Sequence, residues 1–87
     1  MSYQGADVPA LRALAQEMLR SKADMERTLT SCSHELEQLV WAGPDRDRFV
    51  SDWARHADHV RGVCRELEHA AHQAFRHAEA QEQASRA

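Results

Sequence analysis

Two long stretches of helical apolar spacing meet at a glycine-proline pair in mid-chain, and that arrangement leaves the sequence few folds. Gly43-Pro44 is the only place where two strong helix breakers stand side by side; Gly5 and Pro9 lie near the start, and Gly62 stands alone further on. Before the break, apolar residues fall at Leu11, Leu14, Met18, Met25, Leu29, Cys32, Leu36 and Leu39, in steps of three, four or seven. Such steps place them on one stripe of an α-helix and do not fit the alternation of a strand. Lys22 fills the position that the stripe skips; its methylenes can pack while its ammonium reaches water. With Lys22 included, two successive steps of four form a stutter, which unwinds a left-handed supercoil locally and predicts a rather straight helix.

The ends of the helices carry their own signals. Asp7 can accept from the free N–H groups of a first turn, and Pro9 fits where no N–H partner is needed. Gly43 is expected to end the first helix, since glycine enters left-handed geometry without a Cβ penalty. Pro44 is pre-set for the first turn of the next, and Asp45 and Asp47 suit the positive end of its dipole. Small or apolar residues then recur at Phe49, Trp53, Ala57, Val60, Val63, Leu67, Ala71, Ala74 and Ala78. The opposite face alternates in sign through Arg48, Asp52, Arg55, Asp58, Arg61, Arg65 and Glu68, a solvated ladder of weak pairs. The expected organisation is one small domain: helix one over about 8–41, a turn at 42–44, helix two over about 45–80, and a polar tail at 81–87 that frays.

Folding the chain at this turn matches the two stripes. Leu36 comes opposite Phe49, Cys32 opposite Trp53, Met25 opposite Val60, Met18 opposite Leu67, Leu14 opposite Ala71 and Leu11 opposite Ala74, while Lys22 meets Val63. The predicted fold is all-α, an antiparallel two-helix hairpin. The predicted core, of the hairpin or of a dimer of hairpins, is Leu11, Leu14, Met18, Met25, Leu29, Leu36, Leu39, Phe49, Trp53, Val60, Val63 and Leu67. Leu19, Val40, Trp41, Val50, Cys64 and Phe75 widen the apolar stripe beyond what one partner helix covers. A lone hairpin would leave that surface wet, so the sequence predicts a dimer in which a second hairpin completes a four-helix bundle.

Other classes of function find little support. A net charge of −3 offers no basic footprint for nucleic acid. No stretch approaches the ~20 apolar residues of a membrane span. Residues 1–10 have neither a basic start nor an apolar run, so no cleaved signal peptide is expected. His56 and His59 are three apart, as are His69 and His72, a spacing that can chelate a metal. A closed site wants four ligands, however, and Arg55, Arg61 and Arg65 nearby would repel a cation, so no metal site is expected. Charging all six histidines would move the formal balance from −3 to +3, which makes a response to pH the better expectation. Ser31, Cys32, Ser33 and His34 are adjacent and point different ways on a helix, and no phosphate loop or cleft can be argued. The expectation is therefore no enzyme, no cofactor and no small-molecule substrate. Cys32, on the stripe, is expected to be buried; Cys64, beside it, to be the more reactive. Their positions along the two arms are too far apart for a disulfide within one hairpin.

The residues around the break also carry a likeness. A helix, then Trp41-Ala42-Gly43, then a second helix opening on Pro44 and bearing Phe49 resembles the WxG family of small helical-hairpin proteins of type VII secretion systems. The likeness extends over nearly the whole chain in length, arm lengths and central turn. Members or their partners often carry Tyr-x-x-x-Asp/Glu beyond the second helix as part of a secretion signal. Phe75-Arg76-His77-Ala78-Glu79 has that form with Phe in place of Tyr, and lies closer to the turn than the family pattern. The resemblance implies a dimer with itself or with a related WxG-family protein, and recognition by the type VII secretion ATPase. It further implies synthesis in the cytoplasm and secretion without a cleaved signal peptide, as a substrate or adaptor in effector delivery. The alternative is a cytosolic antiparallel coiled-coil module with no role in export.

Overall fold

The computed structural model describes residues 7–86. Among them it has two helices and no strand: α1, Val8–Gln38, and α2, Pro44–Arg86. They pack side by side as a hairpin 66 Å long and 19 by 17 Å across. The run is antiparallel, because Trp53, early in α2, bonds to Ser33, late in α1, while Arg12 pairs with Glu82 at the far end.

Asp7 caps α1 as its side chain predicts: its Oδ1 accepts from the Ala10 N–H at 3.1 Å. The other end differs from expectation. α1 stops at Gln38, three residues before the predicted 41, where Leu39 turns extended at φ −69 and ψ 136. Gly43 therefore does not close α1. It stands immediately before α2 at φ +112, and its carbonyl accepts the first bond of that helix, from the Asp47 N–H at 3.1 Å. Pro44 opens α2 as predicted. A Cβ on Gly43 would meet nothing within 4 Å, so only its backbone angle demands glycine. Gly43→Val is expected to lower stability by ~1–3 kcal/mol through that angle alone. Gly43→Ala should cost about as much, and chemical melts of the two variants check it.

α2 continues through Arg86, past the predicted end near 80. The stretch expected to fray is tied down from both sides. Ala78 is fully buried, Arg12 of α1 reaches across to Glu82, and Arg86 pairs with Glu82 one turn on. Residue 87 lies outside the described residues.

The seam between the helices is built from small side chains, not from the large ones of the predicted core. In α2 it is Ala57, Cys64, Ala71 and Ala78, every seventh residue, joined by Ala74; in α1 it is Ala15 and Leu29. Small residues let helix axes approach closely, so neighbouring bulky side chains are displaced to the flanks. Of the predicted core, only Leu29 is buried; Leu11, Met18, Met25, Leu36, Trp53, Val60, Val63 and Leu67 are half-buried. Leu14, Leu39 and Phe49 are exposed at 48%, 59% and 49%, so they do not belong to the core of this hairpin.

The two cysteines exchange roles for the same reason. Cys64 lies in the seam, 2% exposed, with its Sγ 3.9 Å from the Lys22 carbonyl oxygen, while Cys32 is exposed. Both are free thiols. Alkylation of the native protein should modify Cys32 promptly and Cys64 only on unfolding; peptide mapping by mass spectrometry reads the order.

Candidate functional site

The two long faces of the hairpin differ in kind. One is bridged by charge. Lys22 Nζ lies 3.1 Å from Glu68 Oε2 on the facing helix and 3.6 Å from Glu26 Oε1 on its own. Toward the chain ends, Arg12 pairs with Glu82 and lies 4.0 Å from Glu79. Glu26 and Ser33 are one heptad apart in α1, as are Arg61 and Glu68 in α2. The shallow trough lined by Ser33, Glu37, Arg46, Val50, Ala54, Asp58 and Arg61, with Leu36, Trp53 and Ala57 along its floor, therefore lies on this same bridged face.

The other face is apolar. Near the linker a trough is lined by Cys32, Glu35, Leu36, Leu39, Phe49 and Trp53. A second adjoins it, sharing Cys32 and Trp53 and adding Met25, Thr28, Leu29 and Val60, with Asp24 and His56 at its rim. Leu11, Met18, Met25 and Cys32 repeat every seven residues in α1, with Leu39 next in the series just past its end, and Trp53, Val60 and Leu67 do so in α2. The troughs thus lie on one continuous apolar strip. Among the described residues, no ion pair crosses between the helices on this side. Both troughs are open to solvent, whereas a small molecule usually binds with most of its surface buried.

The linker, residues 39–43, caps one end of this strip. Val40 is fully exposed and Trp41 is 41% exposed. The Trp41 ring rests against Phe49, centroids 5.6 Å apart and planes tilted by 53°, an arrangement aromatic rings favour. Trp41 thus packs on the first turns of α2 and keeps one side open to solvent. Together with the exposed Leu39 and Phe49 it forms an apolar knob at the end of the hairpin.

The pair Phe75 and Glu79 is placed differently from the linker residues. Phe75 is half-buried against the cluster of Ala15, Ala71 and Ala74, beside Met18 and Leu19. Glu79 is exposed, within reach of Arg12 and hydrogen-bonded to the Gln83 amide. One useful residue escapes the apolar pattern. Ser33 Oγ accepts from the Trp53 indole N–H at 3.0 Å, tying α1 to α2 near the linker. An indole N–H leaving water needs an acceptor, and Ser33 is one position from the Cys32 that the stripes set opposite Trp53.

Among the described residues, no three His, Cys, Asp or Glu side chains are grouped to hold a metal ion. His72 Nε2 lies 3.8 Å from Glu68 Oε1, within the charged bridge. Among the described residues, no helix is long and apolar enough to cross a membrane.

The bridge also sets a dependence on pH. The hydrogen bond from Lys22 holds the Glu68 carboxyl below its ordinary range, and that from Arg12 does the same for Glu82. The Lys22 ammonium is held above 10.5, chiefly by Glu68. Carboxyls with lowered values add stability that is present above the ordinary glutamate pKa, about 4.3, and lost as pH falls through the folded value. Lys22, with a raised value, adds stability below 10.5 that is lost as pH climbs past its folded value. The melting temperature should fall on the acid side more steeply for the wild type than for Glu68→Gln/Glu82→Gln, and 1 M salt should narrow the difference. Parallel acid limbs for the two proteins would show that the bridge adds nothing.

No family model, curated protein or solved structure matches the chain, so the geometry of its apolar face carries the functional reading.

Proposed function

We propose that the protein is a small protein-binding module of the WxG type, a substrate or adaptor of a type VII secretion system that works as a helical dimer. The observation that carries the reading is the apolar strip with its aromatic end. A 66 Å hairpin keeps a row of half-buried Leu, Met, Val and Trp residues along one face and an exposed Trp41–Phe49 pair at the linker. A hairpin that worked alone would have no use for that surface, and a second hairpin would cover it as the other half of a four-helix bundle. The reading is supported by the position of Trp41-Ala42-Gly43 in the linker between the two helices and by the positive φ of Gly43. In this reading the partner is a second copy or a related WxG-family protein. The assembled dimer is what the secretion ATPase recognises, and the protein leaves the cytoplasm folded.

The test is localisation in the native host. The protein should accumulate in the medium of the parent strain and stay in the cells when the type VII ATPase gene is deleted. Equal amounts in both media, or none in either, would overturn the export role.

The second reading, a cytosolic antiparallel coiled-coil module, is favoured by one observation. Phe75 packs into the hairpin's own core cluster, and Glu79 lies beside Arg12, so both residues of the candidate secretion signal have structural employment within the chain. Glu79→Gln separates the two readings. Glu82 remains as the closer partner of Arg12, so folding should survive; export falls if Glu79 is read as a signal and is unchanged if it is not.

A further inference from the structure

We propose that the linker is a processing site, where an endopeptidase that selects a large apolar side chain cuts the chain after Trp41. The inference goes beyond the export reading and does not rest on it.

A protease takes its substrate as exposed, extended chain, and a helix must unwind before it can be cut. Apart from the cap at Asp7, the linker is the one stretch of backbone outside the helices among the described residues. Every residue from Glu37 to Asp45 is exposed, and Val40 completely so. Leu39 already has extended backbone, at φ −69 and ψ 136. Leu39-Val40-Trp41 thus offers three large apolar side chains in a row, followed by the small Ala42 and Gly43. The Trp41 ring leans on Phe49 with 41% of the residue open to solvent, so it is free to turn into a protease pocket.

Five linker residues are few for a protease cleft, and the end of α1 supplies the rest. Its last turn carries Glu35 and Glu37 and no basic residue. Carboxylates there sit at the negative end of the helix dipole, which weakens the turn. The bond that closes it, from the Leu39 N–H to the Leu36 carbonyl, is long at 3.3 Å. When this turn opens, the accessible chain runs back to Glu35. α2 gives way less readily, because Pro44, Asp45 and Asp47 all suit its first turn.

In the cut, water adds across the Trp41–Ala42 peptide bond. The C–N bond breaks, the Trp41 carbonyl carbon takes the hydroxyl and the Ala42 nitrogen takes the proton. The contact between α1 and α2 then becomes one between two molecules. A short tether holds its ends at an effective concentration on the order of millimolar, so at micromolar protein the contact weakens about a thousandfold. Cutting here takes the hairpin apart.

Chymotrypsin and trypsin, applied to the full chain under native conditions, test the site. The first accepts large apolar side chains in its primary pocket and the second basic ones. All 11 Lys and Arg residues lie within α1 or α2, whereas Leu39 and Trp41 lie in the linker. Within residues 7–86, chymotrypsin should cut first after Trp41, at least tenfold faster than trypsin makes any cut inside a helix; mass spectrometry reads the fragments. Trp41→Ser should slow that cut at least tenfold, and Trp41→Phe should not. A loss of stability would speed cutting, so slowing cannot come from a damaged fold. Glu35→Gln/Glu37→Gln should slow it about threefold with helicity unchanged. The fragments should elute apart in gel filtration at low micromolar concentration. A first cut elsewhere in residues 7–86, or equal rates for the two proteases, would overturn the site. Unchanged cutting of the double glutamine variant would overturn the opening of the α1 turn, and fragments that stay together would overturn the disassembly.

Discussion

Ala71→Leu is expected to unfold most of the chain at room temperature. Ala71 has no exposed surface, and it lies in the buried cluster it forms with Ala15 and Ala74. A leucine there adds three carbons to a gap set by alanines. Overpacking a filled core costs typically 1–3 kcal/mol, and here the strain cannot be relieved by local repacking, because the helices would have to separate along their length. The reserve available to absorb it is small, since a chain this short buries a modest share of its surface. Ala71→Gly probes the opposite error. It leaves the gap open and weakens the helix by about 1 kcal/mol, so it should be the milder of the two. Helicity at 222 nm and thermal melts give the order. If leucine proves the milder change, the seam is looser than alanine spacing implies, and the close approach of the helices is wrong.

That seam is also where sequence and structure part. The two stripes were legible, and so were the Asp7 cap, the opening of α2 at Pro44 and the hairpin itself, because periodicity and end signals act locally. The identity of the buried line was not. A stripe of Leu, Met and Val is the natural reading of a core, and alanine at every seventh position looks like filler until two helices are laid together. What decides is the distance between axes. Close approach rewards Ala57, Cys64, Ala71 and Ala78 and pushes Leu14, Leu39 and Phe49 outward. The exchange of Cys32 and Cys64 is one consequence, and the apolar face is the other: residues displaced from a narrow seam become the surface a partner can cover. The end of α2 was missed for a different reason. Nothing in residues 81–86 is apolar enough to call a helix, and its continuation depends on Arg12, seventy residues away in sequence, reaching Glu82.

Trp53 carries the second large effect, because it joins the seam to the apolar face. It is half-buried, lines the troughs on both sides of the hairpin, and donates its indole N–H to Ser33. Trp53→Ala removes an indole ring packed between the helices and the side-chain hydrogen bond that ties them near the linker. A fully buried tryptophan would cost ~3–5 kcal/mol to truncate. Half-burial lowers the expectation to about 2–3 kcal/mol, still a large part of what a small domain holds. Trp53→Phe separates the two contributions: most of the packing stays and only the bond to Ser33 is lost, for about 1 kcal/mol. Ser33→Ala should match the phenylalanine variant, and the double variant should be little worse than either single one, since both remove the same bond. Additive losses would place Ser33 and Trp53 in separate roles and take away the bond as the fastening of the linker end. The alanine variant has a further consequence if a partner covers the apolar face. Its dimer should weaken by more than its stability loss explains, because the missing ring belongs to both surfaces. Sedimentation at protein concentrations where circular dichroism still reports a folded chain would isolate that part.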